Sequence, residues 1–264
     1  MTGMGHEGSG DVGAAGSYAP INGLRLYYEV HGDGPPLVLL HGGLMTIGLT
    51  FGLMIPTLAE RHRVIGVELQ GHGHTADIDR PMALESLAGD VDHLLGFLGV
   101  ERADLFGFSL GGMVALTAAR LYPERVGKLV IASVDPRPGH AEFENPDDPE
   151  VARRMPTEAD FAAMRDAYEA AAPNPAAFET VAQKTSGMVH FFTGWSDDEL
   201  KGIDAPTLVL LGDTDFVPLA NAVAMFELLP RSELAVLPGT THMGVSQRPE
   251  QVLALIGRFL DRAH

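Results

Sequence analysis

The sequence of 264 residues contains no cysteine. Disulfides, thiolate zinc sites and a cysteine nucleophile are thereby excluded. Positive charge is scarce: 18 Lys and Arg stand against 35 Asp and Glu, a formal net charge of −17. Phosphate backbones and anionic lipid surfaces would be repelled, so neither nucleic acid nor membrane is an expected partner. The acids need not mean a cationic substrate, because they also make an ordinary solvated surface. No apolar run reaches membrane-spanning length. The start, Met1 to Gly16, is rich in Gly, Ser and Ala and lacks the apolar core of a secretory signal. It reads as a disordered tail on a cytoplasmic protein.

What remains is ordinary globular material, 45% hydrophobic and 20% charged, with enough length for one sizeable core. Asn22-Gly23 marks a turn between two candidate strands, Ser17–Pro20 and Leu24–Val30. Leu37–Leu40, a continuous apolar run, Val64–Leu69 and Ala103–Phe108 read as buried strands, and Leu129–Ala132, Thr207–Leu211 and Glu233–Leu237 as further strands. Helical spacing lies between them: about a dozen residues ending near Glu60, then Leu84–Leu98, Leu110–Tyr122, Pro218–Leu229 and Pro249–Leu260. Pro56 falls inside the first of these. Strands alternating with helices imply an α/β protein, with a mostly parallel eight-stranded sheet covered on both faces. From Val134 to Gly202 the alternation stops. A proline-punctuated acidic loop gives way to helix starts at Thr157, capped with Asp160, and at Asn174-Pro175. Residues 134–202 therefore read as a helical insertion into a core formed by 17–133 and 203–264.

Chemistry collects at strand ends. Ser109 sits in Gly107-Phe108-Ser109-Leu110-Gly111, where a strand turns directly into a helix. Such a bend strains one residue and lifts its side chain off the sheet edge. Gly107 and Gly111 flank it because a side chain there would clash across the turn. Asp215 and His242 follow the last two strands. In an open parallel sheet those ends share the edge where ligands bind. A serine hydroxyl needs a base, an imidazole titrates near neutrality, and a carboxylate orients that imidazole. Asp213 and Asp135 are alternatives for the acid. The backbone N–H groups of Leu110, at a helix start, and Gly43, in the loop after Leu37–Leu40, are candidate donors to an oxyanion.

His41-Gly42-Gly43, Gly107-x-Ser109-x-Gly111, Gly212-x-x-Asp215 and Gly239-x-x-His242 together resemble the signatures of the α/β-hydrolase fold family, in the order Ser, acid, His. The likeness spans roughly Ser17 to His264. It implies a serine esterase or lactonase that works through an acyl-enzyme, with Ser109, Asp215 and His242 as catalytic groups and the 134–202 insertion as a small helical cap. Amide and carbon–carbon bond (diketone-type) hydrolysis use the same groups, and peracid formation is a conceivable side reaction. Relatives that dehalogenate haloalkanes or open epoxides carry Asp where Ser109 stands. A member that binds a ligand with little turnover is the alternative of a different class. No cofactor and no metal are expected. His41 is expected to order its loop, while His72 and His74 read as loop residues. Leu44, Met188, Phe192 and Trp195 are the candidate substrate contacts. Met155, Phe161 and Met164 suggest an apolar pocket, with His190 and Phe191 near its mouth. The expected partner is a small ester or lactone, and a homo-oligomer is left open.

Overall fold

The Asn22-Gly23 turn has positive φ at both residues, 48° and 87°, the geometry that suits a two-residue hairpin. It joins β1 (Ser17–Ile21) to β2 (Leu24–His31), which pair antiparallel. The computed structural model describes residues 16–136 and 149–262. Of the tail expected over Met1–Gly16, all but the exposed Gly16 lies outside the described residues.

The hairpin starts an eight-stranded sheet in the order β1-β2-β4-β3-β5-β6-β7-β8. Its other strands are β3 (Pro36–Leu40), β4 (Arg63–Val67), β5 (Ala103–Phe108), β6 (Val126–Ala132), β7 (Thr207–Gly212) and β8 (Ser232–Leu237). β2 meets β4 antiparallel, and every pairing from β4 to β8 is parallel. The chain goes from β3 to β4 on one side, then crosses back to β5 on the other. β3 and β5 are therefore neighbours whose outgoing loops diverge, which opens a crevice at their carboxyl ends.

Side-chain alternation builds two cores. Val38, Leu40, Leu105, Leu129 and Ile131 face one layer, with α3 (Leu84–Phe97) and α4 (Leu110–Leu121). Leu37, Leu39, Phe106 and Val130 face the other, against α1 (Ile47–Phe51), α2 (Ile55–Ala59) and the last helix, Pro249–Leu260. The first helix of the sequence reading is thus two helices. Pro56 has no N–H to give to a preceding turn and instead sits in the first turn of α2. The strand expected over Val64–Leu69 stops at Val67, because the Leu69 N–H donates to His41 Nε2 (3.1 Å) instead of to a neighbouring strand.

Between β6 and β7 the described residues form helices only: α5 (Pro149–Ala152), α6 (Glu158–Ala171), α7 (Phe178–His190) and α8 (Asp197–Lys201). Thr157 caps α6 as its sequence suggests, taking the Asp160 N–H on its hydroxyl (3.2 Å) while Asp160 accepts the Thr157 N–H (2.8 Å). Asn174 does not cap α7 with its side chain. A single 3₁₀ turn, Pro175–Ala177, intervenes and moves the helix start to Phe178. α8 has a capping box of its own, Ser196 with Glu199, a Ser-x-x-Glu signal legible in the sequence. Lys184 ties α7 to the core through Asp77 Oδ2 (2.5 Å) and the Ile78 carbonyl (3.0 Å). α9 (Leu219–Leu228) and α10 (Pro249–Leu260) complete the chain.

A Cβ on Gly111 would lie 2.0 Å from the Leu40 carbonyl oxygen, and one on Gly107 would lie 2.3 Å from the Gly111 oxygen. Both neighbours are backbone atoms and cannot swing aside. In α10, a Cβ on Gly257 would meet nothing within 4 Å. Gly111→Ala is expected to cost about 3 kcal/mol, and Gly257→Ala to stabilise by about 0.5 to 1 kcal/mol. Urea unfolding midpoints read the difference, and equal midpoints for the two variants would contradict this packing.

Candidate active site

Ser109 links β5 to α4 with φ 52° and ψ −118°, a backbone conformation that a side chain resists. The bend is fastened on both sides. The Ser109 N–H donates to the Ala132 carbonyl (2.8 Å), and its carbonyl accepts the Met113 N–H (3.0 Å). The hydroxyl faces His242 across 3.0 Å, from Oγ to Nε2. His242 Nδ1 lies 2.8 Å from Asp215 Oδ1. A carboxylate only accepts, so Nδ1 carries the proton and Nε2 offers its lone pair to the serine hydroxyl. Asp215 and His242 are buried, with 1% and 5% of their surfaces exposed, so the contact is shielded from water. Phe216 stacks on the imidazole at 4.0 Å between ring centres, and Phe108 lies tilted at 5.0 Å.

Asp215 is well furnished with donors. Oδ1 also accepts the Val217 N–H (3.0 Å), and Oδ2 accepts the Ser133 hydroxyl (2.6 Å). Burial by itself would push the carboxyl up. The facing imidazole and these hydrogen bonds outweigh it, so the group sits below its ordinary value and stays ionised. The other carboxylates named above lie elsewhere. Asp213 accepts the Thr240 N–H (3.2 Å). Asp135 lies in the cavity wall, where Asn221 Nδ2 donates to both of its oxygens (3.1 and 3.2 Å).

The loop after β3 is held by histidine. His41 Nδ1 donates to the Gly42 carbonyl (2.7 Å), while Nε2 accepts the Leu69 N–H. Burial, then the neighbouring His72, push the His41 imidazole down to about 3, and burial takes His72 to about 4. His72 Nδ1 donates to the Gln70 carbonyl (2.9 Å). Glu68 adds a second brace, accepting the His74 N–H (2.6 Å) and facing the His74 ring (2.9 Å). Among the described residues no cluster of three metal-ligating side chains occurs. The braced loop carries Gly43, whose added Cβ would stand 3.9 Å from Leu110 Cβ and 3.3 Å from Thr185 of α7. Gly43 and Leu110 therefore flank one spot beside Ser109. The Leu110 N–H opens α4 and has no acceptor within its helix.

Above these residues lies a cavity of about 710 Å³, lined by Ser109, His242, Gly43, Leu110 and mainly apolar side chains. Leu44, Phe161, Met164, His190 and Phe192 are in its wall. Met188 and Trp195, expected as substrate contacts, and Met155 are not in this wall. α7 turns Ala182, Thr185, Ser186 and Val189 to the cavity, a helical stripe that leaves Met188 to the side. Trp195 is buried against Phe192 instead, at 4.6 Å between ring centres. Phe191 is 79% exposed. Sequence reasoning missed Ser133 and Phe216. Phe216 adjoins Asp215 and could have been suspected, but nothing in the sequence marks Ser133.

A model of the α/β hydrolase fold matches residues 35–187. The chain belongs to the α/β-hydrolase family. Over its length this hydrolase is 29% identical to a putative carbamate hydrolase RutD of Caulobacter sp. (strain K31), covering 89% of this chain and 95% of that one. It is also 29% identical to a pimeloyl-[acyl-carrier protein] methyl ester esterase of Nitrosospira multiformis, covering 89% and 98%. An enol-lactonase from Burkholderia xenovorans LB400 shares the fold with a TM-score of 0.78 at 20% identity, covering 93% of this chain and 100% of that one. Among the described residues of the hydrolase, no helix is long and apolar enough to cross a membrane.

The buried histidines set a pH dependence of stability. Unfolded, each titrates at the ordinary 6.5; folded, His41 and His72 titrate at about 3 and about 4. Below the unfolded value the unfolded chain takes up protons that the folded one refuses, so their stabilisation is lost as the pH falls towards the folded values. Imidazole ¹⁵N spectra at about pH 5 should show both rings neutral with the proton on Nδ1. Protonated rings there would contradict the account of this loop.

Proposed function

We propose that this hydrolase cleaves a carboxylic ester or lactone through an acyl-enzyme on Ser109. The observation that carries the reading is the continuous Ser109–His242–Asp215 hydrogen-bond chain on the floor of a largely apolar cavity. Ser109 Oγ attacks the acyl carbon as His242 Nε2 takes its proton. Asp215 stabilises the imidazolium and keeps its tautomer. The Gly43 and Leu110 N–H groups receive the oxyanion. His242 then gives the proton to the departing alkoxide. Water attacks the acyl carbon while His242 takes a proton from it; the proton returns to Ser109 Oγ as the acid leaves.

Residues 134–202 serve as the cap. Support comes from α6 and α7, which contribute Phe161, Met164, Thr185 and Val189 to the wall. The described wall contains neither Lys nor Arg, so a substrate carboxylate would enter without a counter-ion. A neutral ester with an apolar acyl group suits this described wall best. The relatives named for a methyl ester and a carbamate are consistent with cleavage at an acyl carbon.

Turnover of short- and medium-chain nitrophenyl esters tests the reading. Ser109→Ala should lower kcat by on the order of 10⁴-fold or more, and Asp215→Asn by on the order of 10³- to 10⁴-fold. A serine-directed phosphonate should label Ser109 and nothing else. Activity retained in Ser109→Ala would sink the proposal, and tight ligand binding without any turnover would favour a recognition protein.

A further inference from the structure

Ser133 is the first residue beyond β6, and its φ is +58°. Outside glycine that conformation is uncommon and strained. Glycine would adopt it freely, yet this position carries a hydroxymethyl group that is almost wholly buried, with 2% exposed. The backbone is anchored as well. The Ser133 N–H donates to the Leu210 carbonyl (2.8 Å), which extends the pairing of β6 with β7 by one residue. β7 is the strand whose following loop carries Asp215. The strain thus turns the Ser133 hydroxyl toward a carboxylate held by the adjacent strand, and Oγ reaches Asp215 Oδ2 at 2.6 Å.

We propose that Ser133 is a positioning residue: its hydroxyl locks the rotation of the Asp215 carboxylate, so that Oδ1 is kept for the His242 Nδ1–H. The inference rests on the acyl-enzyme reading given above. Asp215 has no exposed side-chain surface, so water cannot replace a lost partner without entering the core. Oδ1 already serves two donors, His242 and Val217. Oδ2 is the remaining oxygen, and Ser133 is its donor. With that bond removed, the carboxylate can turn about Cβ–Cγ and share its charge unevenly with the ring. It also holds its negative charge less well, since the hydrogen bond favours the ionised form.

Two substitutions separate the hydroxyl from the backbone. Ser133→Gly removes the hydroxyl and relieves the left-handed strain. Ser133→Ala removes the hydroxyl and keeps the strain. With a neutral nitrophenyl ester, both should lose about tenfold in kcat with KM within about twofold, because the missing contact acts on the proton relay rather than on substrate binding. In both, the acid limb of kcat/KM should move to higher pH. Without this donor the Asp215 carboxylate is the stronger base, and that moves the limb upward. The unfolding midpoint should be higher for the Gly variant than for the Ala variant. Near-parental kcat and an unmoved acid limb in both variants would overturn the proposal. So would a kcat loss that follows the midpoint, large in Ala and absent in Gly, since only a structural role does that. Phosphonate labelling of Ser109 in the parent protein keeps the two levels apart. A labelled parent with unaffected Ser133 variants defeats this inference alone, whereas an unlabelled parent defeats the acyl-enzyme reading beneath it.

Discussion

Between Gly111 and the Leu40 carbonyl oxygen there is no room for a methyl group. That contact brings the first turn of α4 against the end of β3, and the architecture of the site follows from it. Two strands that are neighbours in the sheet but send their chains in opposite directions deliver Gly43 and Ser109 to one place. The helix that begins at Leu110 then points its free N–H groups and positive end at the same spot. Gly43, Leu110 and Ser109 thus share one corner of a mainly apolar cavity.

The sheet edge brings together groups that are far apart in sequence, but their protonation states come from packing. His41 and His242 show the contrast. Both are buried imidazoles with the proton on Nδ1. His41 gives that proton to a neutral carbonyl and takes an amide N–H on the other nitrogen. Every lone pair and proton is occupied, and the ring is a strut. His242 gives its proton to a carboxylate and faces a hydroxyl. The difference between the two rings lies in the partner of Nδ1, not in burial.

Most of the fold is legible in the sequence. The strands that carry the site are short and largely apolar, and the Ser109 frame could be set on a strand-to-helix bend from the run before it and the helical spacing after it. Strand ends then bring Asp215 and His242 to the same edge, where the structure has them in hydrogen-bond contact. What could not be read has identifiable causes. Pro56 starts a helix instead of interrupting one, a distinction that depends on where the preceding turn closes. The Val64–Leu69 run ends early because a histidine in the loop after β3 captures the Leu69 amide. Met188, on α7, and Trp195, in the stretch before α8, lie off the cavity because an apolar side chain carries no mark of which apolar neighbour it meets. Ser133 is invisible for a deeper reason. Its relevance lies in a positive φ and a cross-strand partner, and neither leaves a pattern in the chain.

The account turns on a covalent bond between Ser109 and the acyl half of the substrate. The most direct measurement is rapid acid quenching during steady turnover of a neutral ester, followed by mass analysis of the peptide that contains Ser109. The expected result is a mass increase equal to the acyl group on that peptide, formed within the first turnover and gone when substrate is exhausted. Full turnover with no acyl group on any peptide, and with one atom of solvent oxygen delivered to the acid in a single step, would contradict it.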